Sequence, residues 1–268
     1  MIELSSVALL HSRGDRPLLR DASLTVAPGQ VALVVAAMGS GTSRVMAALL
    51  GEVACESGSI SVLGHDVGRL RRSSMRQLRR RIGVVPQDLC LLEDRSAQLN
   101  VVMPLEIDGV PRSISIGRAG EVLAELELSD EAALPIDALP RSDRQRVAVA
   151  RALVRQPELV LADHPTSDQD GPGTALICRA IDRAAAAGAA CLMFSRDPMV
   201  RIHAEAAGWT QWTLTDGCLH QETLVPDEVA LSVGSSPPVR ARSVELEVDP
   251  APLTNVLPFP AARSAGAR

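Results

Sequence analysis

An apolar run, Val31-Ala32-Leu33-Val34-Val35, breaks into Ala36-Ala37-Met38-Gly39-Ser40-Gly41-Thr42-Ser43 and resumes as the helix-forming Val45-Met46-Ala47-Ala48-Leu49-Leu50. A buried strand, a glycine-bearing loop and a helix in that order point to a wound α/β sheet. The loop has the register of the phosphate-binding pattern G-x-x-x-x-G-K-[ST]. There the glycines let backbone N–H groups wrap the phosphates, the lysine neutralises them and the hydroxyl binds magnesium. Ala36 stands at the first glycine, Gly41 at the second, Thr42 at the lysine and Ser43 at the magnesium ligand. The shape of a nucleotide site is expected, without its main positive charge. No lysine occurs anywhere in the 268 residues, so a neighbouring one cannot fill the gap.

The net charge of −5 gives no global attraction for nucleic acid, and no nucleic-acid partner is expected. Aromatic residues make up 1% of the chain and tyrosine is absent, which removes the stacking platforms used on single strands. The apolar stretches fall short of the roughly 18–20 residues needed to span a bilayer, and no signal peptide opens the chain. Five scattered cysteines without a CxxC suggest a reduced, cytosolic setting. His65, His203 and His220 lack metal-ligand spacing.

Residues 2–10 and 22–27 read as strands joined by the turn Ser12-Arg13-Gly14-Asp15, and Gly58–Gly64 as another strand. The run 69–81 carries seven arginines and reads as a solvated helical face, with anionic lipid headgroups or an acidic partner loop as the alternative. Ile82–Gln87 is a buried strand ending at Pro86. The period turns helical from about 96 to 156, and Leu159-Val160-Leu161-Ala162-Asp163 is an apolar strand ending in a carboxylate. A helix near 173–187, a strand Ala190–Phe194 and a hairpin-like pair around 212–214 and 218–220 follow. The domain is expected over 1–220. Residues 221–268 are read as a disordered tail, the stretch from Ser232 being rich in Pro, Ser, Ala and Val without period.

Three stretches resemble the nucleotide-binding subunits of ABC transporters, and among them most closely the bacterial cell-division FtsE family. Gly64–Leu70 with Leu78–Asp88 is similar to the lead into the family's Q-loop. Leu91–Arg95 with Asn100–Leu105 is similar to the stretch beyond it. Arg144–Leu153 with Pro157–Thr166 is similar to the signature helix running into the Walker B strand. The resemblance implies a P-loop NTPase core of ABC type, with an inserted helical subdomain at about 96–156 and an antiparallel β edge. It implies Mg-ATP as cofactor, bound weakly or not at all here, and a homodimer with each ATP between one phosphate loop and the other copy's signature motif. It also implies an FtsX-like integral membrane subunit as partner, which would place the chain on the inner face of the cytoplasmic membrane.

Carried over residue by residue, the resemblance assigns Gly39, Ser40, Gly41, Thr42, Ser43, Arg44 and Gln87 to nucleotide binding and His11 to the position that stacks on adenine. Ser43, Gln87 and Asp163 match the magnesium-holding oxygens, and Asp170 matches the aspartate that communicates across the dimer. The rest departs from the pattern. His164 occupies the position of the glutamate that polarises water, and Arg196 that of the switch histidine. Leu139-Pro140-Arg141-Ser142-Asp143 stands where the family has L-S-G-G-Q/E. Losing the lysine–phosphate hydrogen bond, worth about 1.5–3 kcal/mol, weakens binding by about one to two decades. Pro140 brings neither hydroxyl nor N–H, and Arg141 puts a long side chain where a glycine allowed close approach. Three readings stand: a pseudo-ATPase adaptor, an active ATPase rewired through Arg44, Arg141, Arg196 and His164, and a lipoprotein-release or macrolide-type exporter ATPase.

Overall fold

The computed structural model describes residues 1–11, 16–37 and 39–222. The turn Ser12–Asp15, Met38 and all but the first two residues of the tail at 221–268 lie outside them. In chain order the elements are β1 (Ile2–Leu10), β2 (Pro17–Val26), β3 (Val31–Ala36), α1 (Thr42–Leu49), β4 (Ser57–Val62), β5 (His65–Asp66), α2 (Arg72–Arg80) and β6 (Ile82–Val85). Then come α3 (Ala97–Ile107), α4 (Arg112–Glu125), a short 3₁₀ turn (Ile136–Ala138), α5 (Arg141–Leu153), β7 (Leu159–Asp163), α6 (Gly171–Ala186), β8 (Ala190–Phe194), α7 (Pro198–Ala207), β9 (Thr210–Thr215) and β10 (Cys218–Glu222).

Two sheets result. One has strand order β10-β9-β3-β8-β7-β6, parallel throughout except for the β9–β10 hairpin; the other is the antiparallel β2-β1-β4-β5. The continuous apolar runs predicted at β3, β7 and β8 follow from burial on both faces. Leu33, Val160, Cys191 and Met193 pack towards α3–α7. Val34, Leu161, Leu192 and Phe194 pack towards α1, α2 and the antiparallel sheet. The helical stretch expected at 96–156 is α3, α4 and α5.

Several boundaries moved. β2 begins at Pro17 rather than 22, since Leu18 and Leu19 are buried with the rest of the strand. Helix α7 was not anticipated, although its punctuation is plain. Asp197 accepts from the Met199 amide at 2.9 Å, Pro198 opens the first turn, and Gly208 closes it at φ 71°. On α2, Met75 and Leu78 point inward, while Arg71, Arg72 and Arg76 are exposed. Arg79 donates to the Leu50 carbonyl at 2.8 Å and Arg81 pairs with Glu158 at 2.6 Å. The arginine run is therefore a solvated face, part of it tied to neighbouring elements.

Candidate functional site

The loops at the carboxyl ends of β3, β6, β7 and β8 converge on one cleft, where open α/β sheets place their ligands. A cavity of 280 Å³ there is lined by Gly39, Gly41, Thr42, Ser43, Gln87, His164, Ser167 and Arg196. Gly41 caps α1 at φ 81°, and a Cβ on it would overlap the Leu18 side chain. The left-handed backbone favours glycine at this point.

Thr42 is buried, and its hydroxyl donates to Asp163 Oδ1 at 2.8 Å. The Ser43 hydroxyl donates to Asp163 Oδ2 at 2.5 Å and lies 3.5 Å from Gln87 Oε1. Ser43, Gln87 and Asp163 thus bring hydroxyl, amide and carboxylate oxygens together, a hard-oxygen set that suits magnesium. A triphosphate is served less well. The position that would carry the lysine is a buried hydroxyl turned towards Asp163. The Arg44 Nε donates to the Leu10 carbonyl at 2.6 Å, which ties this guanidinium to the end of β1. His11 lines an adjoining 550 Å³ cleft that shares Gly39 with the first and includes Ser40 and the β9–β10 turn at Thr215–Gly217.

His164 follows Asp163 in a left-handed conformation, φ 51°, its amide donating to the Phe194 carbonyl at 2.8 Å. Burial pushes its imidazole below the ordinary histidine range. The Asp163 charge opposes that shift and the Arg196 charge adds to it. The ring is therefore neutral at pH 7, and its 3.9 Å approach to Asp163 is not an ion pair there. Arg196 is exposed at the rim of the cleft.

In the signature segment Pro140 is the N-cap of α5 and makes no side-chain cap hydrogen bond. Arg141, the first helical residue, pairs with Asp168 Oδ1 at 2.9 Å. The buried Asp143 lies in the same first turn and pairs with Arg146. A helix N-terminus attracts negative charge. Here that attraction is already met by Asp143 in the first turn, with Asp168 beside it.

The family model for ABC transporters matches residues 19–167, more than half of the chain. This chain belongs to the ABC transporter family. Among curated relatives it is 30% identical over 200 residues to the cell division ATP-binding protein FtsE of Streptococcus pneumoniae serotype 2, covering 75% of this chain and 86% of that one. It is 35% identical over 164 residues to the methionine import ATP-binding protein MetN of Mesorhizobium japonicum, covering 61% of this chain and 45% of MetN. The chain thus spans about half the length of the MetN relatives it matches. The post-hydrolysis dimer of the ATP-binding cassette MJ0796 bound to ADP and Pi superposes with a TM-score of 0.74 at 25% identity, covering 84% of this chain and 99% of that one. The fold is that of an ABC-type P-loop ATPase.

Sequence reasoning on this ABC cassette missed a buried polar centre beside the cleft. Gln145 of α5, 1% exposed, donates to the His164 carbonyl at 3.1 Å and to Ser167 Oγ at 3.0 Å. Its own Oε1 accepts from the Asp168 amide at 3.2 Å and from Gln169 Nε2 at 3.1 Å, while Gln169 also donates to the Ser142 carbonyl at 2.8 Å. One side chain therefore joins the signature helix to the whole loop after β7. The signal was present: Gln145 shares the buried stripe of Ala148, Val149 and Ala152, where a polar residue needs partners. Asp170, matched to the dimer-spanning aspartate, caps α6 by accepting from the Gly173 amide at 2.8 Å.

Proposed function

We propose that this ABC subunit is a non-hydrolysing adaptor that docks on an FtsX-like integral membrane protein of cell division, at the inner face of the cytoplasmic membrane. The observation that carries the reading is Thr42, whose hydroxyl is spent on Asp163 where an active cassette presents a lysine to phosphate. Phosphoryl transfer is mainly positioning and charge stabilisation. Around this cleft two of the three arginines are directed elsewhere, Arg44 to Leu10 and Arg141 to Asp168, and Arg196 stands exposed at the rim. Magnesium, if held, would lie among Ser43, Gln87 and Asp163 and supply only charge screening. His164, being neutral, would orient a water without the charge of a carboxylate base.

The docking surface in this reading is the segment after Gln87. Buried Asn100 accepts from the Leu92 amide at 2.8 Å and donates to the Leu92 and Ser96 carbonyls at 3.0 Å each. Arg151 donates to the Leu89 carbonyl at 2.6 Å, holding Leu89 and Cys90 in left-handed conformations. A 240 Å³ groove beside it is lined by Ile82, Val84, Met103, Pro104 and Ile107, the last 59% exposed. A second reading, favoured by the identity to MetN, gives the same surface to the membrane subunit of an importer. The FtsE reading is preferred because that likeness runs over most of both chains.

Turnover decides between adaptor and enzyme. Purified protein, with and without an FtsX-like partner, is expected to hydrolyse no ATP above the level of Asp163→Asn. Thr42→Lys is expected to tighten Mg-ATP binding by about one to two decades while turnover stays absent. Wild-type turnover abolished by Asp163→Asn would restore the rewired-enzyme reading.

A further inference from the structure

We propose that Thr42 is a latch: its hydroxyl, with that of Ser43, closes the phosphate loop onto Asp163 and fixes the loop's shape without any nucleotide. The inference takes its purpose from the non-hydrolysing reading, though its geometry does not depend on it. Asp163 is 1% exposed, and among the described residues the hydroxyls of Thr42 and Ser43 are its side-chain hydrogen-bond donors, one on each oxygen. The nearest ring, His164, stands 3.9 Å away, beyond hydrogen-bond reach. A carboxylate this deeply buried depends on such donors. A lysine at position 42 would carry a positive charge able to donate to Asp163 or to a phosphate. Threonine keeps a donor on Oδ1 and removes that charge. The latch also lies at a mechanical junction. Thr42 is the first residue of α1, Asp163 the last of β7, and Gln145 bonds the carbonyl of the next residue, His164, to the signature helix. Phosphate loop, Walker B strand and signature helix are therefore connected through side chains of one copy. Thr42 acts as a positioning residue, through Asp163.

Hydrogen exchange on the full chain tests this. The amides to follow are Ser40, Arg44 and Val45, bonded to Ala37 and Gly41 carbonyls, with those of β8 as internal reference. Nucleotide-free wild type is expected to protect them, and excess Mg-ATP to leave that protection unchanged. Thr42→Val keeps shape and loses the donor, and should exchange about tenfold faster at these amides only. Thr42→Ser, keeping the donor, should restore protection. If Thr42→Val disturbs β8 as well, Thr42→Ala takes its place. Equal protection in Thr42→Val and wild type would overturn the latch, as would loss of protection in Thr42→Ser. A roughly tenfold gain of wild-type protection with Mg-ATP would overturn it too, because the loop would then owe its shape to the ligand. ATP turnover measured on the same samples bears on the adaptor reading alone, so the two ideas fail separately.

Discussion

Two loops face each other across the cleft and are held by different means. The loop after β7, residues 164–169, is fastened from beneath by Gln145, a buried side chain with every polar atom bonded to it. The phosphate loop, residues 39–43, is fastened from its own edge by two hydroxyls on one carboxylate. In the first loop the polar framework serves the fold, since a buried amide without partners costs stability. In the second, the lysine of the phosphate-binding pattern would serve a phosphate rather than the fold.

The sharpest way to break that comparison is Gln145→Leu. It keeps the volume, takes away the acceptor of the Asp168 amide, and removes one bond each from the His164 carbonyl and the Gln169 side-chain amide. A loss of about 3 kcal/mol is expected in urea unfolding, and a loss under about 0.5 kcal/mol would show the two loops to be held alike. A smaller effect concerns pH. Since the folded imidazole of His164 sits below its ordinary value of 6.5, the unfolded chain takes up the proton first as pH falls. The contribution of His164 to stability is complete above about pH 6.5 and declines from there towards its folded pKa. His164→Asn also suits the left-handed backbone, and it should remove this part of the acid-side slope. An unchanged slope would mean the ring is not the titrating group. Arg141→Ala should matter least, by under about 0.5 kcal/mol, because its bond to Asp168 is largely exposed. A large effect would mean the signature segment depends on that pair as the loop after β7 depends on Gln145.

Much of the fold was legible because its strands are buried on both faces and read as unbroken apolar runs. Leu159–Asp163 and Ala190–Phe194 were found to the residue. Helix α7 was lost because only two of its ten residues, Val200 and Ala204, are buried, leaving too thin a stripe to show a period. Of the site, the order of the motifs gave the positions that meet: Gly41, Ser43, Gln87, Asp163, His164 and Arg196. It gave nothing of where the side chains turn. Arg44 read as a substitute for the lysine from its adjacency alone, yet its Nε is bonded to the Leu10 carbonyl.

By itself the sequence determined the α/β architecture, the place of the cleft and the loss of the lysine charge, because periodicity, glycine placement and residue type are local properties. Tertiary structure alone decided what became of the freed groups. Thr42 and Asp163 stand 121 residues apart, Arg44 and Leu10 are brought together across the β1–α1 junction, and Gln145 finds partners from 164 to 169. A hydrogen bond depends on a few tenths of an ångström between groups that only the packed sheet brings side by side.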